Sequence, residues 1–242
     1  MEDDLLQLLQ EEKSMRLKGG LYHQTQIKLC YNSNRIEGSR LSEDQTRYIF
    51  ETNSINTTPD DTANVDDIIE TVNHFTCFDY MLDIADKELS QEIIKEFHRI
   101  LKSGTSDSRK EWFNVGEYKS RPNMVGSIET TPPAKVKNAI GTIIENYNKK
   151  KIEFNDIVDF HYRFEKIHPF QDGNGRVGRI IIFKECLKNG IIPLIIEDEY
   201  KQFYYRGLKE FEKTPEYLID TCLSAQDKYT EIVRYFYKKA QF

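Results

Sequence analysis

Hydrophobic residues recur at intervals of three and four along most of this 242-residue chain. The stretch from about 65 to 85 shows the pattern best, with apolar side chains at Ile68, Val72, Phe75, Phe78 and Leu82. This period places the apolar side chains on one face of an α-helix. By the same criterion we predict further helices at about 21–37, 43–51, 90–102, 133–149, 155–168, 176–189 and 200–212, and one that starts at 214.

Residues with strong terminal preferences mark where several of these helices begin and end. Gly38 suits the C-terminus of the first, because glycine readily adopts the left-handed conformation found there. Ser42 and Gln45 have the spacing of a capping box at the start of the next helix. Ser90 and Asn155 are predicted N-caps of two later helices.

The helical pattern is interrupted between residues 115 and 129. Two short segments with strand propensity flank the turn-forming "RPN" at 121–123, which predicts a β-hairpin. No internal repeat or low-complexity segment is present in the sequence. The predicted fold class is therefore all-α, a helical bundle with one β-hairpin.

The charge and hydropathy of the sequence argue against nucleic acid and membranes as partners. The net charge is −6, and there is no basic tail or arginine-rich stripe. Binding to nucleic acid needs a positive footprint, so nucleic acid is not expected as a partner. The longest apolar runs are far too short to cross a bilayer, so no membrane span is expected either.

The cysteines and the N-terminus indicate the compartment. Cys30, Cys77, Cys186 and Cys222 are far apart and form no CxxC pair, which argues against a zinc site or a disulfide framework. The first residues are acidic where a signal peptide would be basic. We therefore expect a reducing, cytoplasmic location.

The stretch "HPFQDGNGRVGR", residues 168–179, concentrates groups that bind anions. Gly173–Gly175 can turn successive N–H groups into one concavity that leads into a helix N-terminus. Arg176 and Arg179 are three residues apart, so both can project from one face of that helix. Two guanidinium groups beside an anion-binding turn suit a polyphosphate better than a lone carboxylate.

Two further residues of this stretch add reactive chemistry. Asp172 is a credible ligand for Mg²⁺, which proteins hold with one or two carboxylates plus substrate phosphates. His168, at a helix end, can accept a proton near neutral pH. Each feature alone is common in structural turns and solvated helix faces, whereas their combination predicts a nucleoside triphosphate site with an activated hydroxyl. The stretch lacks the GxxxxGK[ST] pattern of a P-loop.

The same stretch resembles the signature of Fic-domain proteins, HxFx(D/E)GNGRxxR, at every specified position. The resemblance implies the Fic fold and transfer of AMP from ATP to a Ser, Thr or Tyr hydroxyl of a target protein. It implies that His168 is the base and that Asp172 holds Mg²⁺ or Mn²⁺. The phosphate-binding residues that it implies are Gly173, Asn174, Gly175, Arg176, Val177, Gly178 and Arg179. Phe170 would anchor the loop, and Gly175, where the kinase branch has lysine, favours nucleotide transfer over phosphorylation.

The similarity extends over about residues 60–225. The hairpin resembles the Fic flap, which clamps the target segment, and its nucleotide-facing residues would be Val125, Gly126, Ser127 and Ile128. Tyr204 and Tyr205 match a tyrosine pair that borders the adenine and ribose in relatives, although such aromatic positions are also typical of a core. Some relatives have Asn where this chain has Glu212, which leaves the choice of base open.

Residues 33–38, "SNRIEG", resemble the inhibitory motif (S/T)xxxE(G/N) of class II Fic proteins. Glu37 lies in the last turn of its predicted helix, where the helix dipole disfavours an anion unless a cation is near; a solvated surface glutamate is the alternative. The resemblance implies that Glu37 pairs with Arg179, supported by Ser33, and blocks the ATP γ-phosphate. It implies an N-terminal inhibitory region (1–58), a Fic core (59–225) and a C-terminal extension (226–242).

Three functional hypotheses follow. The first is a protein adenylyltransferase that uses ATP, modifies an unidentified target protein and also itself, and is restrained by Glu37. The second is the same site used for de-AMPylation or for transfer of UMP or phosphocholine. The third is a non-catalytic regulator that binds nucleotide. A homodimer is also an expectation from relatives of this compact type.

Overall fold

The computed structural model describes residues 5–56, 62–126 and 128–240. Within them the chain is built almost entirely of helices, which confirms the predicted fold class. The helices are α1 (Leu5–Met15), α2 (Leu21–Ile36), α3 (Glu43–Thr52), α4 (Val65–Asp83), α5 (Gln91–Lys102), α6 (Pro133–Asn148), α7 (Phe154–Ile167), α8 (Asn174–Lys188), α9 (Lys201–Glu210) and α10 (Glu216–Ala240). Short 3-10 turns lie at Asp107–Arg109 and Asp198–Tyr200.

Most of the predicted helix ends are confirmed. The Ser42 hydroxyl accepts from the amide of Gln45, whose side chain accepts from the amide of Ser42, so the capping box is complete. Ser90 caps α5, and Gly38 follows α2 with φ of 99°. The prediction that Asn155 caps α7 was wrong: the N-cap is Glu153, two residues earlier, and the helix begins at Phe154.

The hairpin is shorter than predicted and its turn lies elsewhere. Strands β1 (Met124–Val125) and β2 (Ile128–Glu129) pair antiparallel, so the turn lies after β1 and not at residues 121–123. The segment before β1 makes no strand because its backbone is bonded to another part of the chain. The amide of Lys119 donates to the carbonyl of Pro169 at 2.8 Å.

Helix α8 lies at the centre of the bundle. Ile180, Ile181, Ile182 and Phe183 follow one another, so this part of the helix presents apolar side chains in every direction and is buried on all sides. Helices α2, α4, α5 and α7 pack around it. The loop at 168–173 therefore leads directly into the N-terminus of this buried helix.

One hydrophobic core joins the N-terminal helices to the rest of the described chain. Leu5 and Leu9 of α1 and Leu29 of α2 belong to the same buried cluster as Phe183 of α8 and Tyr229 of α10. No helix in the described ranges is long and apolar enough to cross a membrane.

Candidate active site

His168 is held in an uncommon backbone conformation at the end of α7. Its amide donates to the carbonyl of Phe164, while its φ of 52° and ψ of 64° are left-handed. Pro169 follows and disfavours the helical conformation at the preceding residue, which explains why the helix ends here. Burial, reinforced by the positive charge of Lys119, lowers the pKa of the His168 imidazole. The ring is therefore neutral at pH 7 and able to accept a proton.

The loop that follows is fastened by the side chain of Asn174. Its Oδ1 accepts from the amide of Phe170 at 2.8 Å, and its Nδ2 donates to the carbonyl of the same residue at 2.9 Å. Gly173, between them, has φ of 80°, which glycine adopts without strain. Asn174 thus shapes the loop through both ends of its amide.

We expect Asn174→Ala to lower the free energy of unfolding by roughly 1–3 kcal/mol, because it leaves the buried amide of Phe170 without its partner and removes one of the two donors to the Phe170 carbonyl. Chemical denaturation measures this change. Asn189→Ala, at the opposite end of α8, is the matched control, because that side chain makes a single bond to the carbonyl of Glu185. Equal losses in the two variants would contradict the fastening role.

A buried histidine supports the other side of the loop. The ring of His98 stacks on Phe170 with centroids 4.0 Å apart. Its Nδ1 accepts from the amide of Gly116 at 2.9 Å, so its Nε2 carries the proton and donates to the carbonyl of Asp172 at 3.2 Å. Burial lowers the pKa of His98 to about 3, which keeps this tautomer at neutral pH. The sequence offered no signal for this residue beyond a histidine in a helical pattern.

The N-terminus of α8 presents backbone N–H groups to the loop. The first amides of a helix have no partner within it and form a site for anions. The amide of Val177 already donates to the carbonyl of Gly173, and the Val177 side chain is fully buried. Gly178 packs directly against His161 and Glu165. Val177 and Gly178 therefore face the interior of the bundle.

Four side chains beside the loop form a ring of alternating charge, which we call the charge ring: Lys102, Glu70, Arg176 and Asp172. Lys102 Nζ lies 2.6 Å from Glu70 Oε1 and 2.7 Å from Asp172 Oδ2. Arg176 Nη1 lies 2.5 Å from Glu70 Oε2, and its Nη2 lies 3.3 Å from Asp172 Oδ2. Although burial opposes ionisation of Asp172, Arg176 and Lys102 lower its pKa to about 2. Lys102 and Glu70 were missed in the sequence, since tertiary packing alone brings them to the loop.

Arg179 is bound to the end of α2. Its Nε donates to Ser33 Oγ at 3.0 Å, and its Nη2 donates to the carbonyl of Ser33 at 2.9 Å and to Glu37 Oε1 at 2.6 Å. A side chain at Gly175 would collide with the Glu37 carboxylate, so this carboxylate lies against the first turn of α8. It therefore occupies space beside the anion-binding amides.

The carboxyl of Glu165 also lies near Arg179. Glu165 Oε1 is buried and makes no hydrogen bond within the described part of the chain. Burial, followed by the nearby charge of Glu37, raises the pKa of Glu165 to about 8. At pH 7 this carboxyl is mostly protonated, so Glu37 meets no ionised competitor for Arg179.

The two tyrosines of α9 have different surroundings. Tyr204 is fully buried, and its hydroxyl lies 2.8 Å from Nε2 of His161. Tyr205 is 43% exposed, and its hydroxyl donates to the carbonyl of Ile36 at 3.0 Å, directly before Glu37. Tyr204 therefore packs in the core, while Tyr205 fastens the end of α2.

The hairpin is tied to the loop at its base. Asn123 Nδ2 donates to the carbonyl of Phe170 at 3.0 Å, and Lys119 Nζ donates to Asn123 Oδ1 at 2.7 Å. Burial lowers the pKa of Lys119 to about 8. Val125 and Gly126 are exposed. Of the other predicted flap residues, Ser127 lies outside the described residues and Ile128 contributes its backbone to β2.

Asp172 is the side chain whose chemistry fits the predicted Mg²⁺. Its carboxylate is ionised, it is 47% exposed, and both of its ion pairs are made by Oδ2. A single accessible carboxylate matches the way that proteins hold Mg²⁺ together with substrate phosphates. Among the described residues no group of three His, Cys, Asp or Glu side chains converges on one point.

Comparison with known proteins agrees with this geometry. The model of the Fic/DOC family matches residues 88–185, which contain α5, the hairpin, α7 and most of α8. Residues 88–185 of this chain are therefore similar to the Fic/DOC family. A crystallised Fic-domain-containing signalling protein from Bacteroides thetaiotaomicron has the same fold, with a TM-score of 0.77 and 22% identity over 100% of this chain and 97% of that one. Fic-1 from Caenorhabditis elegans has a TM-score of 0.72 and 18% identity, over 98% of this chain and 73% of that one.

Curated relatives carry the names of enzymes. A probable protein adenylyltransferase of Aquifex aeolicus is 30% identical over 153 residues, which cover 60% of this chain and 46% of that protein. The protein adenylyltransferase fic-1 of Caenorhabditis briggsae is 25% identical over 78% of this chain and 37% of its own length. The chain thus spans less than half the length of these two curated relatives.

Proposed function

We propose that this chain is a protein adenylyltransferase that moves AMP from ATP to a Ser, Thr or Tyr hydroxyl of a target protein. The observation that carries the proposal is the position of a neutral His168 at the loop that opens α8, beside Asp172, Arg176 and Arg179. The names of the curated relatives support the same activity.

The proposed reaction uses this chain as follows. His168 Nδ1 is buried, which leaves Nε2 to accept the proton of the target hydroxyl. The hydroxyl oxygen attacks the α-phosphorus of ATP, the bond from that phosphorus to the bridging oxygen breaks, and diphosphate leaves. The amides at the start of α8 and the two arginines hold the phosphates. Mg²⁺, which Asp172 would hold together with the phosphates, neutralises their charge when bound.

The label that is transferred distinguishes the candidate reactions. Incubation with α-labelled ATP labels a target or the chain itself if AMP moves, whereas γ-labelled ATP labels it only if phosphate moves. UMP transfer would give label from α-labelled UTP instead, and phosphocholine transfer would appear as its own added mass. Loss of AMP from a pre-modified target would identify de-AMPylation. A protein that binds ATP and gives none of these products would be a regulator.

We further propose that Glu37 restrains the enzyme. Its carboxylate neutralises Arg179 and lies beside the amides that the phosphates need, so ATP must displace it to be held for transfer. Ser33 holds the same guanidinium through two bonds and keeps it oriented towards α2. The proposed division into an inhibitory region at 1–58, a core at 59–225 and an extension at 226–242 follows this role.

Tyr205→Phe is expected to raise basal transfer about two- to tenfold, the value of one hydrogen bond, because it frees the α2 end that carries Glu37. Initial rates with α-labelled ATP measure the effect. Tyr217→Phe is the matched control, since the exposed Tyr217 ring contacts Arg206 with its face rather than its hydroxyl. A rise in both variants, or in neither, would argue against this role of Tyr205.

The cellular location, automodification and the oligomeric state are also proposals. All four cysteines are free and buried, which is compatible with a reducing, cytoplasmic location. Automodification and a homodimer are proposed from the resemblance to Fic enzymes. A monomeric mass by light scattering at working concentration would reject the dimer.

A further inference from the structure

The charge ring contains two residues that the proposed function uses and two that it does not. Asp172 is assigned to the metal and Arg176 to the phosphates, while Lys102 and Glu70 have no part in the transfer. Lys102 is only 2% exposed, yet its ammonium is bonded to both carboxylates of the ring, with Asp107 a further 3.6 Å contact. Because Lys102 is buried and contacts the predicted metal ligand Asp172, we expect it to affect how Asp172 binds the metal.

The ring is electrically balanced when no nucleotide is present. Two cations face two anions, and every member touches two members of opposite charge. Removal of one member leaves a largely buried partner of opposite charge unpaired, which destabilises the folded chain. The ring therefore holds Asp172 and Arg176 in place before any substrate arrives.

The same contacts oppose binding of a free metal ion. Lys102 Nζ lies 2.7 Å from the carboxylate that a divalent cation would need, so the ion would meet a fixed positive charge at contact distance. Like charges at this distance repel strongly when they are partly shielded from water. A metal that brings a triphosphate carries compensating negative charge and meets less of this repulsion.

Release of Asp172 and Arg176 from the charge ring leaves no isolated charge behind. If Asp172 turns to the metal and Arg176 turns to a phosphate, Lys102 and Glu70 still face each other at 2.6 Å. Each then has the other as counter-ion in the buried layer between α4 and α5. Lys102 and Glu70 can therefore lose their contacts with Asp172 and Arg176 and form them again.

We propose that Lys102, with Glu70 as its counter-ion, is a positioning residue that keeps Asp172 closed to free divalent cations and available to a metal–nucleotide complex. The proposal rests on the proposed function for the role of Asp172. Binding of metal alone, however, can be measured without any transfer, so it is tested separately from the enzymatic activity.

The test is a titration of the nucleotide-free full chain with Mn²⁺, in which free Mn²⁺ is followed by electron paramagnetic resonance. Lys102→Met is expected to bind Mn²⁺ at least about tenfold more tightly than the unmodified chain, because it removes the competing charge. Lys102→Gln, which retains hydrogen-bond donors without the charge, should show the same gain. Asp172→Asn in the Lys102→Met background should abolish it.

Lys184→Met is the matched control, because Lys184 is also buried and ion-paired, with Glu185, on the distal part of α8. It should leave Mn²⁺ binding unchanged. Unchanged or weaker binding in folded Lys102→Met or Lys102→Gln would overturn the proposal, as would a gain that survives Asp172→Asn. Tighter metal binding without AMP transfer in any variant would instead support the role of Lys102 and refute the proposed enzymatic function.

Discussion

Replacement of His168 by alanine is expected to lower the rate of AMP transfer by about 10²–10⁴, the usual contribution of a positioned general base. The imidazole lies at the end of α7, where its amide is bonded to Phe164 and its ring is neutral at pH 7. Without it, the site loses the group that we propose accepts the target proton. Initial rates with α-labelled ATP measure the loss.

The pH profile gives a second readout of the same residue. Only neutral imidazole accepts a proton, so transfer falls as the pH drops through the pKa of His168. Because burial, reinforced by Lys119, lowers that pKa, the acid limb should lie below 6.5. His161→Ala is not a suitable control, since that buried ring contacts Tyr204; an unchanged thermal midpoint and unchanged ATP binding in His168→Ala serve instead. A variant that binds ATP and still transfers AMP normally would remove His168 from the mechanism.

Replacement of Glu37 by glycine is expected to raise AMP transfer by roughly 10–100-fold, equivalent to about 1.4–2.7 kcal/mol. The change removes the carboxylate 2.6 Å from Arg179 Nη2 and clears the space beside Gly175. Arg179 keeps its contacts with Ser33 and becomes available to the far end of the triphosphate. Automodification and transfer to lysate proteins, both followed with α-labelled ATP, report the gain.

Two further variants define the cause of this gain. Glu37→Gln retains the length of the side chain but loses its charge, so an intermediate rise is expected if the ion pair with Arg179 is responsible. The double variant with His168→Ala should be inactive, which shows that the label comes from this site. If Glu37→Gly transferred AMP no faster than the unmodified chain, the restraint proposed for Glu37 would be rejected.

Local signals in the sequence predicted much of the fold. Helix caps such as Ser42 and Ser90 act within a few residues of themselves, so their effect can be read from neighbouring positions. The predicted helical bundle was confirmed for the same reason. At Asn155 two candidate caps competed within three residues, and the reciprocal bonds between Glu153 and Asp156 prevailed.

Contacts between distant parts of the chain limited the prediction of the site. The motif residues are consecutive in sequence, so their grouping was visible without a structure. Lys102 reaches Asp172 across 70 positions, and Asn123 reaches Phe170 across 47, through packing that no local pattern encodes. The misplaced hairpin turn has the same origin, because the bond from Lys119 to Pro169 removes that segment from the strand.

The bond between Arg179 and Glu37 joins residues 142 positions apart, with the glutamate first. Chains grow from the N-terminus at about 5–20 residues per second, so Glu37 is synthesised roughly 7–28 seconds before its partner. Helix α2 can therefore be in place when Arg179 emerges from the ribosome. A newly made molecule would carry its restraint before its nucleotide site is complete, and the order of translation would protect the cell from a transient, unrestrained enzyme.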